Sequence, residues 1–258
     1  MTRLVFALKD TWTLAVRTLK HNFRSPDTIM TALAMPVMIL LVFVFVLGGA
    51  METGAVAYVD FVVPVVALMC VAMGVSYTAF RVNLDVTSGM FARFRAMPIA
   101  RSALLGGHVA ASVVVNAVSL AILGAIAFLI GFRPQADLAG WALATALLAL
   151  VLAVFSTMGV AFGLAAKTNE GAGMFSYAVI GLLFVSSGFA PTATMPAPVR
   201  AFADHQPMTA VIDALRGAAL GHPAAADTGA AFAWLVAMLV VFAAFALWAN
   251  RASANRPH

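Results

Sequence analysis

SALLGGHVAASVVVNAVSLAILGAIAFLIGF, residues 102–132, runs for 31 positions without an aspartate, glutamate, lysine or arginine. At 1.5 Å per residue such a helix is about 46 Å long, well beyond the roughly 30 Å hydrocarbon core of a bilayer. It must tilt, bend or project. Five further runs are equally bare of charge: residues 28–53 (interrupted only by Glu52), 61–80, 138–166, 171–199 and 228–250. Each reaches the length of about 20 residues that a crossing needs. The pattern predicts an all-α polytopic membrane protein with six transmembrane helices. Its one domain, residues 1–258, divides into an interfacial segment 1–27, a six-helix core 28–250 and a tail 251–258.

Composition agrees. Hydrophobic residues make up 63% of the chain and mean hydropathy is +1.00, more than a soluble domain with a polar surface carries. A formal charge of +5 would suggest nucleic acid in a soluble protein, but here the basic residues sort by membrane side, and no nucleic acid is expected. Twelve fall on one side of a six-span topology: Arg3, Lys9, Arg17, Lys20, Arg24, Arg81, Arg93, Arg95, Arg101, Lys167, Arg251 and Arg256. Only Arg133, Arg200 and Arg216 fall on the other. The positive-inside rule therefore predicts cytoplasmic termini in a plasma (inner) membrane. The lone Cys70 precludes an intrachain disulfide, and no secretory signal is evident in the charge-interrupted first 24 residues.

Within residues 4–24, Leu4, Leu8, Trp12, Val16, Leu19 and Phe23 recur on one helical face and Lys9, Thr13, Arg17, Lys20 and Arg24 on another. This predicts an interfacial helix with its apolar face in the acyl boundary and its cations toward anionic headgroups. It serves as a topological anchor, as a docking surface for a cytosolic partner, or as both. Pro36 and Pro64 mark kinks in the first two spans. Gly159 and Gly163 form a small-xxx-small step suited to close helix packing within the subunit.

Two loops stand out. In residues 81–101, the segment 88–97 reads as a short amphipathic helix with Met90, Phe91, Phe94 and Met97 beside Arg93 and Arg95, stopped by Pro98. Methionines and aromatics beside arginines suit a protein interface; a helix lying on headgroups is the other reading. On the opposite side, residues 191–227 are too many for an idle connection. Pro196 and Pro198 open one short helix there, and Pro207 opens another. In the second, Met208, Val211, Ile212 and Leu215 share a face, while Asp213 and Arg216 pair at i, i+3. Such a pair, if exposed, is worth about 0 to 1 kcal/mol. These helices cap the embedded portion or re-enter the outer leaflet, and the apolar face is a candidate external gate; a surface lid without function is the alternative.

Several classes of activity are disfavoured. No phosphate loop is present, because the one Lys-Thr pair, Lys167-Thr168, follows Ala166 where the motif demands glycine. The energy source is then another chain or an ion gradient. Gradient coupling usually leaves ionisable residues in mid-membrane, yet Glu52, Asp60, Asp85, Glu170 and Asp227 all lie at span ends or in loops. An intramembrane serine protease would need a nucleophile and a histidine on neighbouring spans; His205 and His222 lie in a loop and His108 near a span end. Nothing converges, and no catalytic residue is assigned. The five histidines lack metal-ligand spacing, and charged rings or carbonyl filters of a channel are not evident. Ser112, Asn116 and Ser119 form a narrow polar stripe on the third span, for interhelical hydrogen bonding or for contact with a cargo. Met69, Met73, Tyr77 and Phe80 share a face of the second span, and Phe175, Phe184 and Phe189 populate the fifth. Adaptable surfaces of this kind suit large planar or amphipathic molecules; ordinary lipid-facing side chains are the equal alternative.

The run 185–217, with Ser187-Gly188-Phe189, Pro191, Met195-Pro196, His205-Gln206-Pro207 and Asp213-Ala214-Leu215-Arg216, resembles the signature region of type-2 ATP-binding-cassette (ABC) exporter permeases. It looks most like the membrane subunits of daunorubicin and doxorubicin resistance pumps. Arg95-Ala-Met-Pro-Ile-Ala-Arg101 is similar to the end of that family's coupling helix, and residues 4–24 to its interfacial helix. The resemblance implies a noncatalytic six-helix permease that dimerises with a second copy or a related permease. It also implies two cytosolic ATPase subunits that bind the ATP and magnesium, and contact with membrane lipids. Drug efflux and antibiotic resistance are the implied role; a lipid or glycan-linked cargo is the alternative, and an intramembrane enzyme a more remote one. The family's pairing of the second and fifth spans at the dimer axis favours the cargo reading of their aromatic faces.

Overall fold

In a computed structural model the described residues, 9, 11–19, 26–49, 57–91 and 101–254, form helices and turns with no strand among them. Residues 11–19 form α1. Pro26–Leu41 (α2) continues into a π-helical segment, Val42–Leu47. Tyr58–Thr87 is α3, Arg101–Leu129 α4 and Leu138–Ala165 α5; the short Asn169–Ala172 (α6) and Phe175–Phe184 (α7) follow. Ala197–His205 (α8), Pro207–Ala219 (α9) and Ala225–Ala254 (α10) are the last helices among the described residues.

Four helices among the described residues, and not six, are long and apolar enough to cross a membrane: Tyr58–Thr87, Ala103–Leu129, Leu138–Ala165 and Ala225–Ala252. The expected first span is α2 plus a six-residue π segment, and Pro36 removes a backbone donor inside it. The expected fifth span breaks after the ten residues of α7, about 15 Å at helical rise. Its break has a local cause. The Ser186 hydroxyl donates to the Leu183 carbonyl at 2.6 Å and accepts the Gly188 N–H at 3.1 Å, a closure that competes with the helical ladder. An uncharged run marks what lipid tolerates, not what stays helical.

α9 takes over where α7 stops. Gln206, immediately before α9, donates Nε2 to the carbonyls of Leu182 and Val185 at 2.8 and 2.9 Å. Those carbonyls belong to the open end of α7, which lipid cannot satisfy. At the far end of α9 the Ala219 carbonyl accepts the Gln135 N–H at 2.9 Å, in the connection between α4 and α5. Two short helices thus meet at the Gln206 cap where one continuous helix was expected. In the α8–α9 pair, α8 is mostly exposed, with Ala203 its buried residue, whereas α9 is buried along most of its length.

α3 is central, touching α2, α4, α5, α7 and α9. Lipid tails give helices no hydrophobic reason to associate, so close packing carries the contact. Gly159 and Gly163 of α5 face Val75, Ala79 and Val82 of α3, and a Cβ on Gly163 would lie 2.6 Å from the Ala79 carbonyl oxygen. The small-xxx-small step therefore works within the subunit. Asn83 of α3 closes the last turn of α5 by donating Nδ2 to the carbonyls of Gly163 and Ala166 at 3.1 and 2.9 Å. The main apolar core surrounds α3 and includes α9; a second cluster at the opposite end joins Leu14, Val82, Phe91, Leu104, Leu105 and Leu164. α1 enters that cluster through Leu14, while Trp12 of the apolar stripe stays exposed, as a side chain seated in the acyl boundary would.

Candidate functional site

Arg216 ties three parts of the chain together at one end of the bundle. From α9, its Nη1 donates to Asp213 Oδ1 at 2.7 Å, its Nη2 to the Ser187 carbonyl at 2.9 Å and its Nε to the Phe61 carbonyl at 3.2 Å. The guanidinium also lies 3.7 Å above the Phe61 ring, a cation–π geometry. Asp213 Oδ1 accepts the Ser187 hydroxyl at 2.7 Å. The planar five-donor fork of arginine meets this set of acceptors as a point-charge lysine would not. Burial pushes the Asp213 carboxyl above its ordinary range, against the opposing pull of the Ser187 hydroxyl and the Arg216 charge. Burial likewise lowers Arg216, and Asp213 opposes that shift.

This corrects the expectation of an exposed pair. The Arg216 and Asp213 side chains are 13% and 32% exposed, and both have partners beyond each other. Spacing reveals the i, i+3 relation, but not that Phe61 and Ser187 close over it.

Nearby, the Tyr58 hydroxyl donates to the Phe189 carbonyl at 3.0 Å, and the Phe189 ring packs on Phe43 and Phe184 at 4.4 and 4.9 Å. Of the expected path residues, Phe189, Met69 and Phe175 are buried, the last stacked on Phe162 at 4.9 Å. Met73, Tyr77 and Phe80 are half-buried, and Phe184 is 47% exposed. Asn116 is buried between α4 and α3: its Nδ2 donates to the Ser112 carbonyl at 2.9 Å, and Thr78 donates to the Ser112 hydroxyl at 2.9 Å. Of the polar stripe, Ser112 thus bonds across to α3, while Ser119 donates to the Val115 carbonyl of its own helix at 3.2 Å.

The four gate candidates, Met208, Val211, Ile212 and Leu215, are all buried in the main core, Ile212 completely. They form a packed seat for α9 rather than an open lid. At the other end, Met90 is half-buried with its sulfur 3.6 Å from Arg17 Nη2. Phe91 is only 2% exposed, so in this conformation its ring faces the chain's own interior. Arg93, Phe94, Arg95, Met97 and Pro98 lie outside the described residues. Among the described residues no group of three or more His, Cys, Asp or Glu is placed to hold a metal. Reading by residue type missed Gln206 as a cap and Phe61 as an acceptor; a glutamine just before a proline-led helix in an apolar region was the available signal for the first.

Residues 9–220, which contain the Arg216 cluster, the Gln206 cap and the whole of α3 to α9, match the family described as ABC-2 type transporter. The chain belongs to this family. As an ABC-2 permease it is a multi-pass, noncatalytic membrane subunit. The permease is 30% identical over 236 residues to the daunorubicin resistance ABC transporter permease protein DrrB1 of Streptomyces coeruleorubidus, covering 88% of this chain and 83% of the relative. It is 25% identical over 248 residues to the probable doxorubicin resistance ABC transporter permease protein DrrC of Mycobacterium tuberculosis, in two strains, covering 93% and 87%.

Proposed function

We propose that this permease is the membrane subunit of an exporter that moves hydrophobic or amphipathic, drug-like compounds out of the cytoplasm or the inner leaflet. ATP hydrolysis takes place in a separate pair of cytosolic subunits, which hold the ATP and magnesium, and a second permease copy or a related permease completes the membrane portion. Both termini lie in the cytoplasm. The reading rests above all on similarity to drug-resistance permeases over 88% of the chain. An interior without mid-span carboxylates, which suits an apolar cargo and leaves no proton relay, adds to it.

In this scheme the segment from Met90 to Pro98 meets the ATPases, and their rocking opens a path bordered by α3 and α7. The α9 seat closes the path at the outer end. The test is copurification of untagged partners in mild detergent, an ATPase assay on the product, and ATP-dependent accumulation of a fluorescent hydrophobic cation in everted vesicles. An ATPase subunit in the preparation and ATP-driven accumulation are expected. A permease that recruits no ATPase and moves no cation would sink the reading.

A further inference from the structure

Phe91 and His108 form a contact that the proposed path does not use. α3 ends at Thr87, Gly89 bends the chain in the left-handed region at φ 74°, and helical geometry resumes at Met90. Phe91 then enters the second apolar cluster with Leu104, Leu105 and Leu164. The His108 imidazole of α4 stacks on its ring, with centroids 6.0 Å apart and planes 15° from parallel. His108 is buried, and its Nε2 stands 3.4 Å from Asp85 Oδ2 in the last turn of α3. Beside it Gly107 admits α1, since a Cβ there would lie 2.8 Å from that of Leu14.

A buried imidazole is costly unless a nitrogen finds a partner, and a leucine would fill the same volume at no such cost. What the imidazole adds is two directions at once, a ring face for Phe91 and Nε2 for Asp85. We propose that His108 is a positioning residue that locks the Met90–Phe91 segment to α4, so that movement entering at Phe91 is delivered to α4 and not absorbed at the Gly89 bend. The inference rests on the proposed role of this segment as the contact with an ATPase. One and two turns further along α4, Ser112 and Asn116 sit against Thr78 and Gly74 of α3. A shift of α4 must therefore slide that seat, and discrete packed contacts of this kind are what carry coupling between distant sites.

The test uses the whole complex reconstituted in liposomes, reading copurification, basal ATP hydrolysis and fluorescent hydrophobic cation moved per ATP. His108→Ala is expected to keep assembly and basal hydrolysis while lowering cation moved per ATP by about five-fold or more, the scale of a typical coupling energy. His108→Gln, whose amide can still donate to Asp85, should recover most of that ratio. Asp85→Asn should lower it in part, and it carries the test if His108→Ala does not fold. A parental ratio in both His108→Ala and Asp85→Asn at equal assembly overturns the proposal, as does a lower melting temperature with the ratio unmoved. Failure of the parent chain to copurify any ATPase overturns instead the reading on which it rests.

Discussion

Asn116 of α4 presses its side-chain oxygen onto the Cα of Gly74 of α3, at the place a Cβ would occupy. Among the described residues no N–H or O–H donor reaches that oxygen, so its contact is the weak one from a Cα–H. The amide nitrogen is held separately by Ser112 at 2.9 Å. Gly74→Ala should therefore overpack this seat and lower stability by about 1 to 3 kcal/mol. Gly74→Ala combined with Asn116→Ala should recover much of the loss, because the colliding oxygen is gone. Thermal unfolding in detergent measures the cycle; simple additivity of the two single losses would show that the residues do not oppose each other.

Arg216→Ala should be severe. It leaves the Asp213 carboxylate one-third exposed without its cation and frees the carbonyls of Ser187 and Phe61. Breaking a buried pair costs about 3 to 5 kcal/mol, and this partly exposed one should fall at the lower end. Arg216→Lys restores charge without the fork and should recover only part. Asp213→Asn should be milder, since the amide oxygen still accepts from Ser187. Unfolding in detergent and cation accumulation in vesicles are read together; a loss for Arg216→Ala within the roughly 1 kcal/mol of a surface pair would mean that α9 is seated by its apolar face alone.

Phe91 and Phe94 should separate by assay. Phe91→Ala empties a packed position and is expected to cost about 3 to 5 kcal/mol of stability. Phe94→Ala should leave the melting temperature in place and weaken ATPase copurification, on the order of 2 kcal/mol for a buried interface anchor. Unchanged copurification for Phe94→Ala would remove this loop as the main contact.

Topology is open to direct labelling. In a Cys70→Ala background, single cysteines replacing the exposed Gln135 and Asp204 should react with an impermeant thiol reagent applied to intact cells. Cysteines replacing the exposed Lys167 and Arg251 should react only after permeabilisation. The reverse pattern would invert the orientation drawn from the basic residues.

Charge-free runs located the long helices well: residues 138–166 became Leu138–Ala165 almost to the residue. The second run, 61–80, grew into Tyr58–Thr87 because Asp60, Arg81 and Asp85 are tolerated at helix ends. At those ends Asp60 accepts the Arg133 N–H at 2.8 Å, and Asp85 faces His108. The break after Phe184 was less legible, since it depends on a hydroxyl closing on its own backbone. The apolar stripe of α9 was plain at helical spacing. Its burial was not, because it depends on α3, α5 and α10 closing around it. Phe91 shows the same limit: an aromatic beside arginines reads as an interface, and only the fold decides whose.

The stop after α7 carries a mechanical consequence. Bending a continuous helix inside lipid strains or breaks ladder bonds that the lipid itself cannot replace. Between the end of α7 and the start of α9 the link is the Gln206 amide on two carbonyls, each such bond worth only about 0.5 to 1.5 kcal/mol net, and Ser187 adds a tie to Asp213 and Arg216 further along α9. The two helices can change their mutual angle by exchanging side-chain partners while both keep their backbone ladders. α7 and α9 thus make an articulated strut, jointed at a side-chain cap and not at a bent backbone.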